Sequence, residues 1–190
     1  MKAPLALATV LVASAAQAVL LDDFSTGAVN SGYISSGNFS ASTPASVPGG
    51  VRVTSYTLNA NPNGEDYRVR LNTAAQMLTV TSGVELDGDF LLSYGPASDL
   101  NTDFSANPIF ELTIAANDLP NVATVVLQSF PLGTAVSRTI TLPTVTAPTV
   151  FSFDFTGENL TDVDEIRIGF NASPSGFSRA AASRVRASEL

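Results

Sequence analysis

Apolar and polar residues alternate along most of the chain from Val19 onward. This period of two predicts β-strands that turn one face towards a core. Runs at residues 78–81 and 123–127 also predict strands, and the strand at residues 123–127 is expected to be buried on both faces. The clearest inward-facing sets are Tyr67, Val69 and Leu71; Phe110, Leu112 and Ile114; Ile140 and Leu142; Phe151, Phe153 and Phe155; and Ile166, Ile168 and Phe170.

Clusters of Gly, Pro, Asn and Asp separate these runs, at residues 59–64, 87–88, 95–96 and 117–121. They are typical turn sequences, and no segment after residue 18 carries a helical apolar stripe. We therefore predict an all-β fold, an antiparallel two-sheet β-sandwich of jelly-roll type, forming a single domain over residues 19–190. Residues 24–50 are rich in Ser, Gly, Asn and Thr, and predict loops with one or two weak strands around residues 33–39.

Residues 1–18 have the pattern of a cleaved signal peptide. Lys2 supplies the positive charge, an apolar stretch follows, and Ala16 and Ala18 fit the small-x-small cleavage rule. The alternative is a buried helix. The C-terminal residues contain no long apolar run, so we expect no stable membrane anchor and a secreted, extracellular or cell-surface location, with the periplasm as another possibility.

The composition excludes several kinds of chemistry. The 190 residues contain no Cys, His or Trp, which rules out thiol catalysis, a Ser-His-Asp triad and zinc sites built from Cys or His. The formal net charge is −8, which argues against nucleic acid and anionic membranes as partners. We expect no cofactor other than a structural calcium ion.

Arginines are scarce and therefore informative. Arg68 and Arg70 lie on one face of a predicted strand, and Arg52 follows a Gly-Gly pair where it could reach a cleft. A guanidinium offers a planar fork of donors that suits carboxylates or vicinal sugar hydroxyls. We favour the alternative that these arginines have a structural role and pair with acids on a neighbouring strand.

Two more residues complete the candidate ligand-binding set. Arg138 has the same parity as the apolar residues Val136 and Ile140, which places it at the mouth of a cleft or implies a β-bulge. Tyr56 departs from the parity of the valines before it, which predicts that it faces solvent. With no Trp and four Tyr, the aromatic supply for stacking on sugars is low.

The acidic residues suggest two further hypotheses. Asp22 and Asp23 end the first strand and could contribute oxygen ligands to a structural Ca²⁺ ion, although we favour the interpretation that they are an ordinary acidic strand end. Glu85, Asp87 and Asp89 alternate and could serve as the paired carboxylates of a polysaccharide-degrading enzyme. A solvated acidic face is the simpler interpretation of this second group.

Three stretches carry a resemblance to exported bacterial β-sandwich proteins of the PEP-CTERM-associated type, with a galactose-binding-like jelly roll similar to carbohydrate-binding modules. They are residues 19–24, residues 153–166 and residues 183–188. The resemblance implies a last strand that pairs near the first and an acidic residue there that joins the N-terminal acids around calcium. This chain has Ser183 and Arg184 where that family pattern has Asp and Asn, and it lacks the sorting tail.

These observations lead to one preferred function and two alternatives. We expect a secreted, non-catalytic β-sandwich that binds a glycan or extracellular polymer through loops and one sheet face. The first alternative is a structural or adhesive matrix protein without a specific small ligand. The second is a polysaccharide lyase or glycosidase on the same fold.

Overall fold

The computed structural model describes residues 19–83, 85–96, 100–117, 121–129, 134–172 and 179–188, and the predicted signal peptide lies outside these ranges. No membrane-spanning helix occurs in the described part of the chain. Its strands are β1 (Val19–Asp22), β2 (Val29–Asn30), β3 (Phe39–Pro44), β4 (Val51–Ala60), β5 (Tyr67–Asn72), β6 (Met77–Ser82), β7 (Asp87–Tyr94), β8 (Ile109–Asn117), β9 (Asn121–Ser129), β10 (Thr134–Leu142), β11 (Thr149–Asp154), β12 (Glu165–Ala172) and β13 (Arg179–Ser188).

The strands form two antiparallel sheets. Sheet A has the order β11-β8-β13-β6-β5-β2, and β1 pairs with the C-terminal half of β13. Sheet B has the order β10-β9-β12-β7-β4-β3. From β6 onward each strand lies in the other sheet from the one before it, except that β9 and β10 are neighbours in sheet B. The resulting orders, β6-β13-β8-β11 in sheet A and β7-β12-β9-β10 in sheet B, are the winding of a jelly roll. The predicted all-β, antiparallel two-sheet sandwich is therefore confirmed.

The predicted strands at residues 67–71, 78–81, 110–114, 123–127, 140–142, 151–155 and 166–170 correspond to β5, β6 and β8–β12. The loop-rich segment contains two strands, but they lie on either side of the predicted position: β2 precedes residue 33 and β3 begins at Phe39. The pairing of the first and last strands that the resemblance implied is present, since Val19 is opposite Ala187.

Apolar residues of one parity fill the space between the sheets from most of the strands whose burial is described, for example β5, β7, β8 and β12. Phe110 contacts the rings of both Phe104 and Phe155, with centroid distances of 5.3 and 5.6 Å. Tyr56 from sheet B stacks on Tyr67 from sheet A at 4.1 Å. Burying an aromatic side chain stabilises a fold by about 1.5–3 kcal/mol, so these contacts hold the two layers together.

A charged cluster crosses the same core. Asp22 at the end of β1 accepts hydrogen bonds from Nε and Nη2 of Arg52, both at 2.7 Å, and the two side chains are fully buried. The hydroxyl of Tyr94 donates to the same carboxylate at 2.9 Å, as does the backbone amide of Phe24 at 2.8 Å. Burial and the neighbouring Asp22 charge raise the pKa of Tyr94, so its hydroxyl stays protonated as a donor.

Arg52 also fixes the segment that follows β1. Its Nη1 donates to the backbone carbonyls of Thr26 and Gly27 at 3.0 and 3.2 Å, and its guanidinium carbon lies 5.3 Å from the centre of the Phe24 ring. Gly27 has a φ of +69°, and a Cβ there would lie 2.9 Å from the carbonyl oxygen of Pro44. Only glycine fits this close approach without strain.

We expect Arg52→Met to lower the free energy of unfolding by about 3–5 kcal/mol, because it leaves the Asp22 carboxylate buried without its counter-charge. Urea denaturation of the variant measures the loss. Arg138→Met is the matched control: its ion pair with Glu158 is about one third exposed (37% and 32%), and its removal should cost at most about 1 kcal/mol.

Adding Asp22→Asn to Arg52→Met removes both charges and should recover part of that stability. Equal losses for Arg52→Met and Arg138→Met would show that the buried pair has no special structural role.

Candidate functional site

The five predicted ligand-binding residues lie in three separate places. Arg52 and Tyr56 are in the core, and the prediction that Tyr56 faces solvent is wrong, since it is 1% exposed. The reason is that β4 turns a polar row inwards: Arg52, Thr54 and Tyr56 are buried, whereas Val51 and Val53 are half-buried on the other face. Arg52 is fully buried and donates four hydrogen bonds to Asp22 and to backbone carbonyls, so the proposed cleft role does not fit its position.

Arg138 lies at the opposite edge of the molecule. It donates from Nη2 to Glu158 at 2.7 Å and from Nε to the carbonyl of Asp154 at 2.7 Å, and it lies over the Phe155 ring. The pairing of β10 with β9 has no register shift, so the bulge explanation is wrong. Arg138 instead lies on the edge strand β10 with the inward parity, and its hydrogen bond to Asp154 joins β10 of sheet B to the end of β11 in sheet A.

Arg68 and Arg70 share the outer face of sheet A, as the alternation predicted. On β5 the residues Tyr67, Val69 and Leu71 are buried, and the arginines between them point outwards. The expected pairing with acids on a neighbouring strand is wrong. The residues in register with Arg70 are Asn30 on β2 and Thr79 on β6, neither of which carries a charge.

An exposed aromatic ring, which the sequence did not single out, lies beside Arg68. Tyr33 is 71% exposed, and the guanidinium carbon of Arg68 lies 5.0 Å from the centre of its ring. Arg68 is held in place by Asn30, whose Oδ1 accepts from Nε at 3.2 Å and from Nη2 at 3.1 Å. The ring therefore stands on a fixed cationic support.

Hydrogen bonds also hold the loop that carries Tyr33. The amide of Ser31 donates to the carbonyl of Val69, and the amide of Val69 donates to the hydroxyl of Ser31, both at 2.9 Å. Ile34 forms an antiparallel bridge with Tyr67, whose hydroxyl donates to the carbonyl of Gly37 at 2.9 Å. Burial raises the pKa of Tyr67, which keeps this donor protonated.

A pocket of about 310 Å³ shares Asn30 with this group, whereas Tyr33 and Arg68 do not line it. Arg70, Asn30 and Asn72 line it, together with Val29, Leu71 and Thr73. Among the described residues the Arg70 guanidinium has no hydrogen bond or ion pair, and none of the residues that line the pocket is acidic. We call Tyr33, Arg68, Asn30, Arg70 and Asn72 the sheet A site.

The acidic candidates lie elsewhere. Both oxygens of Asp22 already accept from Arg52, and Asp23 accepts from the amide of Ser25 at 2.9 Å. No group of three or more acidic side chains that could hold a metal ion is found in the described ranges. The calcium hypothesis stays a prediction, and it requires that the cation compete with Arg52 for one buried carboxylate.

The carboxylates considered for catalysis do not face the sheet A site. Asp87 and Asp89 lie on the outer face of sheet B, and Asp89 accepts from Asn59 at 3.0 Å. Glu85 lies in the preceding turn with a φ of +61° and accepts from Asn63. The acids and the exposed tyrosine therefore belong to different faces of the sandwich.

Comparisons with known proteins were made at three levels. No family model matches the chain, and a search of curated proteins gives no significant match. Among solved structures, a family 11 carbohydrate-binding module of a cellulosomal cellulase of Clostridium thermocellum is similar at 14% identity, with a TM-score of 0.47, and the match covers 93% of this chain and 98% of that one.

Two further solved structures give similar values. The family 11 module of Clostridium thermocellum in complex with a β-1,3-1,4-mixed-linked tetrasaccharide matches at 14% identity with a TM-score of 0.46, covering 93% of this chain and 99% of that one. A family 29 carbohydrate-binding module complexed with mannohexaose matches at 14% identity with a TM-score of 0.40, covering 70% and 91%. At such low identity, function has to be argued from this chain's own geometry.

The exposure of Tyr33 predicts a single reactive tyrosine. We expect tetranitromethane to nitrate Tyr33 in the folded protein and to spare Tyr56, Tyr67 and Tyr94, which are at most 1% exposed. Mass spectrometry of tryptic peptides measures the modification. Tyr33→Phe should leave the folded protein without a nitrated tyrosine, and rapid nitration of any other tyrosine would contradict the described burial.

Proposed function

We propose that this chain is an exported, non-catalytic β-sandwich that binds a polysaccharide through the sheet A site. The observation that carries the proposal is the Tyr33 ring, which is 71% exposed and backed by the Arg68 guanidinium. A sugar presents a C–H face that packs on an aromatic ring, and its hydroxyls need donors and acceptors beside that ring. Arg70, Asn30 and Asn72 supply polar groups there.

The fixed geometry of the ring favours binding over incidental exposure. An exposed tyrosine on a free loop would lose side-chain and backbone freedom when a ligand stacks on it. Here the loop is joined to β5 by Ser31 and Ile34, and Arg68 already orders the ring. The entropic cost of binding is therefore reduced before the ligand arrives.

The arrangement of acids supports a non-catalytic role. Glycoside hydrolysis needs two carboxylates that flank one bond of the bound sugar. The residues that line the pocket are Arg, Asn, Thr and apolar residues, whereas Asp87 and Asp89 lie on the other sheet. This distribution suits recognition of a polymer better than cleavage.

Export rests on the sequence. Residues 1–18 have the charged start, apolar stretch and Ala-Gln-Ala ending of a signal peptide. The relation to PEP-CTERM-associated proteins belongs to the same proposal and is supported by the pairing of β1 with β13. Extracellular polysaccharides are the polymers that such a protein would meet.

We expect Tyr33→Ala to weaken binding to the polysaccharide ligand by up to about tenfold, because packing on an aromatic ring contributes about 0.5–1.5 kcal/mol beyond the area it buries. Affinity electrophoresis against a panel of neutral and acidic polysaccharides identifies the ligand and measures the loss. Tyr33→Phe keeps the ring and should retain most of the binding.

Val150→Ala is the matched control, since Val150 is an exposed apolar residue, at 54%, on the distant edge strand β11 of the same sheet. It should bind like the unaltered protein. A protein that binds no member of the panel, or a Tyr33→Ala variant that binds as tightly as the unaltered chain, would contradict the proposed function.

A further inference from the structure

We infer that the sheet A site is specific for acidic polysaccharides, and that the pocket beside Tyr33 takes the carboxylate of a uronic acid unit with Arg70 as its principal partner. This inference rests on the proposed function and adds the class of sugar. It follows from which polar atoms of the pocket are already used and which are not.

The side-chain amide oxygens of the pocket are engaged within the protein. Oδ1 of Asn30 accepts from Arg68 and from the amide of Gly32 at 3.2 Å. Oδ1 of Asn72 accepts from the backbone amides of Ala74 and Ala75 at 3.1 and 3.2 Å. Among the described residues these two amide side chains are left with their Nδ2 groups, which can only donate.

Arg70 adds the strongest donor to this set. It is exposed on the outer face of β5, and its guanidinium has no recorded partner within the described ranges. Arg68, which lies on the same face but does not line the pocket, is already bonded to Asn30 and stacked on Tyr33. The free side-chain nitrogens of the pocket, on Arg70, Asn30 and Asn72, can only donate, and a carboxylate is a ligand group that only accepts.

The local charge agrees with this assignment although the whole chain is acidic. The formal net charge is −8, yet the positions in register with Arg70 are Asn30 and Thr79, and Arg68 has Thr81 beside it. An arginine pair with no acid in register on β2 or β6 is a local concentration of positive charge on an acidic protein, although Glu65 and Asp66 precede β5. It would attract an anion at short range against the overall repulsion.

A carboxylate fits the site better than a sulfate group. A guanidinium fork and a carboxylate are both planar and can form two parallel hydrogen bonds, and the flanking Nδ2 groups add single donors. A pocket of about 310 Å³ is at the lower end of the range for small-molecule sites, which suits one sugar unit with its substituent.

The test compares polygalacturonate with the same polymer after full methyl esterification, which caps the carboxylates and leaves the sugar ring unchanged. Isothermal titration calorimetry measures both affinities for the unaltered chain and for Arg70→Gln. We expect the esterified polymer to bind at least about tenfold more weakly, and Arg70→Gln to lower the affinity for polygalacturonate to about the same level.

Two variants serve as controls. Arg167→Gln removes the same charge from β12 of sheet B, where Arg167 pairs with Glu165, and should change the affinity by less than about twofold. Arg70→Lys keeps the charge but not the planar fork, and should bind polygalacturonate between the unaltered chain and Arg70→Gln. Urea denaturation of the Arg70 variants checks that they are folded. We expect their midpoints to equal that of the unaltered chain, because Arg70 is exposed.

The outcomes separate the two proposals. Equal affinity for the acidic and esterified polymers, with both lost in Tyr33→Ala, overturns the carboxylate inference and leaves polysaccharide binding standing. Arg70-dependent binding to dextran sulfate that exceeds the binding to polygalacturonate overturns it in favour of sulfate. Binding to neither polygalacturonate form, nor to any other polysaccharide of the panel, removes the proposed function and the inference together.

Discussion

The buried ion pair between Asp22 and Arg52 is the interaction on which the rest of the structure depends. Two charges in a core are costly unless their hydrogen-bonding groups are satisfied, and here Tyr94 and the backbone after β1 complete the set. The pair joins β1 of sheet A to β4 of sheet B and fixes the chain from Phe24 to Gly27. That segment leads directly into β2, and so it determines where Asn30 and Tyr33 can lie.

Alternation predicts most of this fold because most strands have one face on an apolar core. The rule fails at β4, where the inward positions are Arg52, Thr54 and Tyr56. A polar inward row is stable only because Asp22, thirty residues earlier, supplies the counter-charge. Parity within a single strand contains no information about that distant partner. The alternation rule therefore assigns Tyr56 to the wrong face, whereas it assigns the strands with apolar inward rows correctly.

The candidate site shows the same division between local and distant information. The shared face of Arg68 and Arg70 follows from the alternation of β5 alone. Tyr33 could not be found that way, because its position results from the pairing of a two-residue strand, β2, with β5 and from the Ile34 bridge to Tyr67. Neither contact leaves a periodic signal in a segment rich in Ser, Gly and Asn. The free polar groups of the pocket depend in turn on which side-chain amide oxygens accept hydrogen bonds from neighbouring groups of the protein.

The charged groups differ between the β2–β5 edge of sheet A and β7 of sheet B. Sheet A presents Arg68 and Arg70 at the β2–β5 edge, whereas sheet B presents Asp87 and Asp89 from β7. The acidic polysaccharide proposed as the ligand would be attracted by the two arginines and repelled by the two aspartates. In a chain whose formal net charge is −8, the arginine pair would therefore favour approach of such a ligand at the β2–β5 edge over approach at β7.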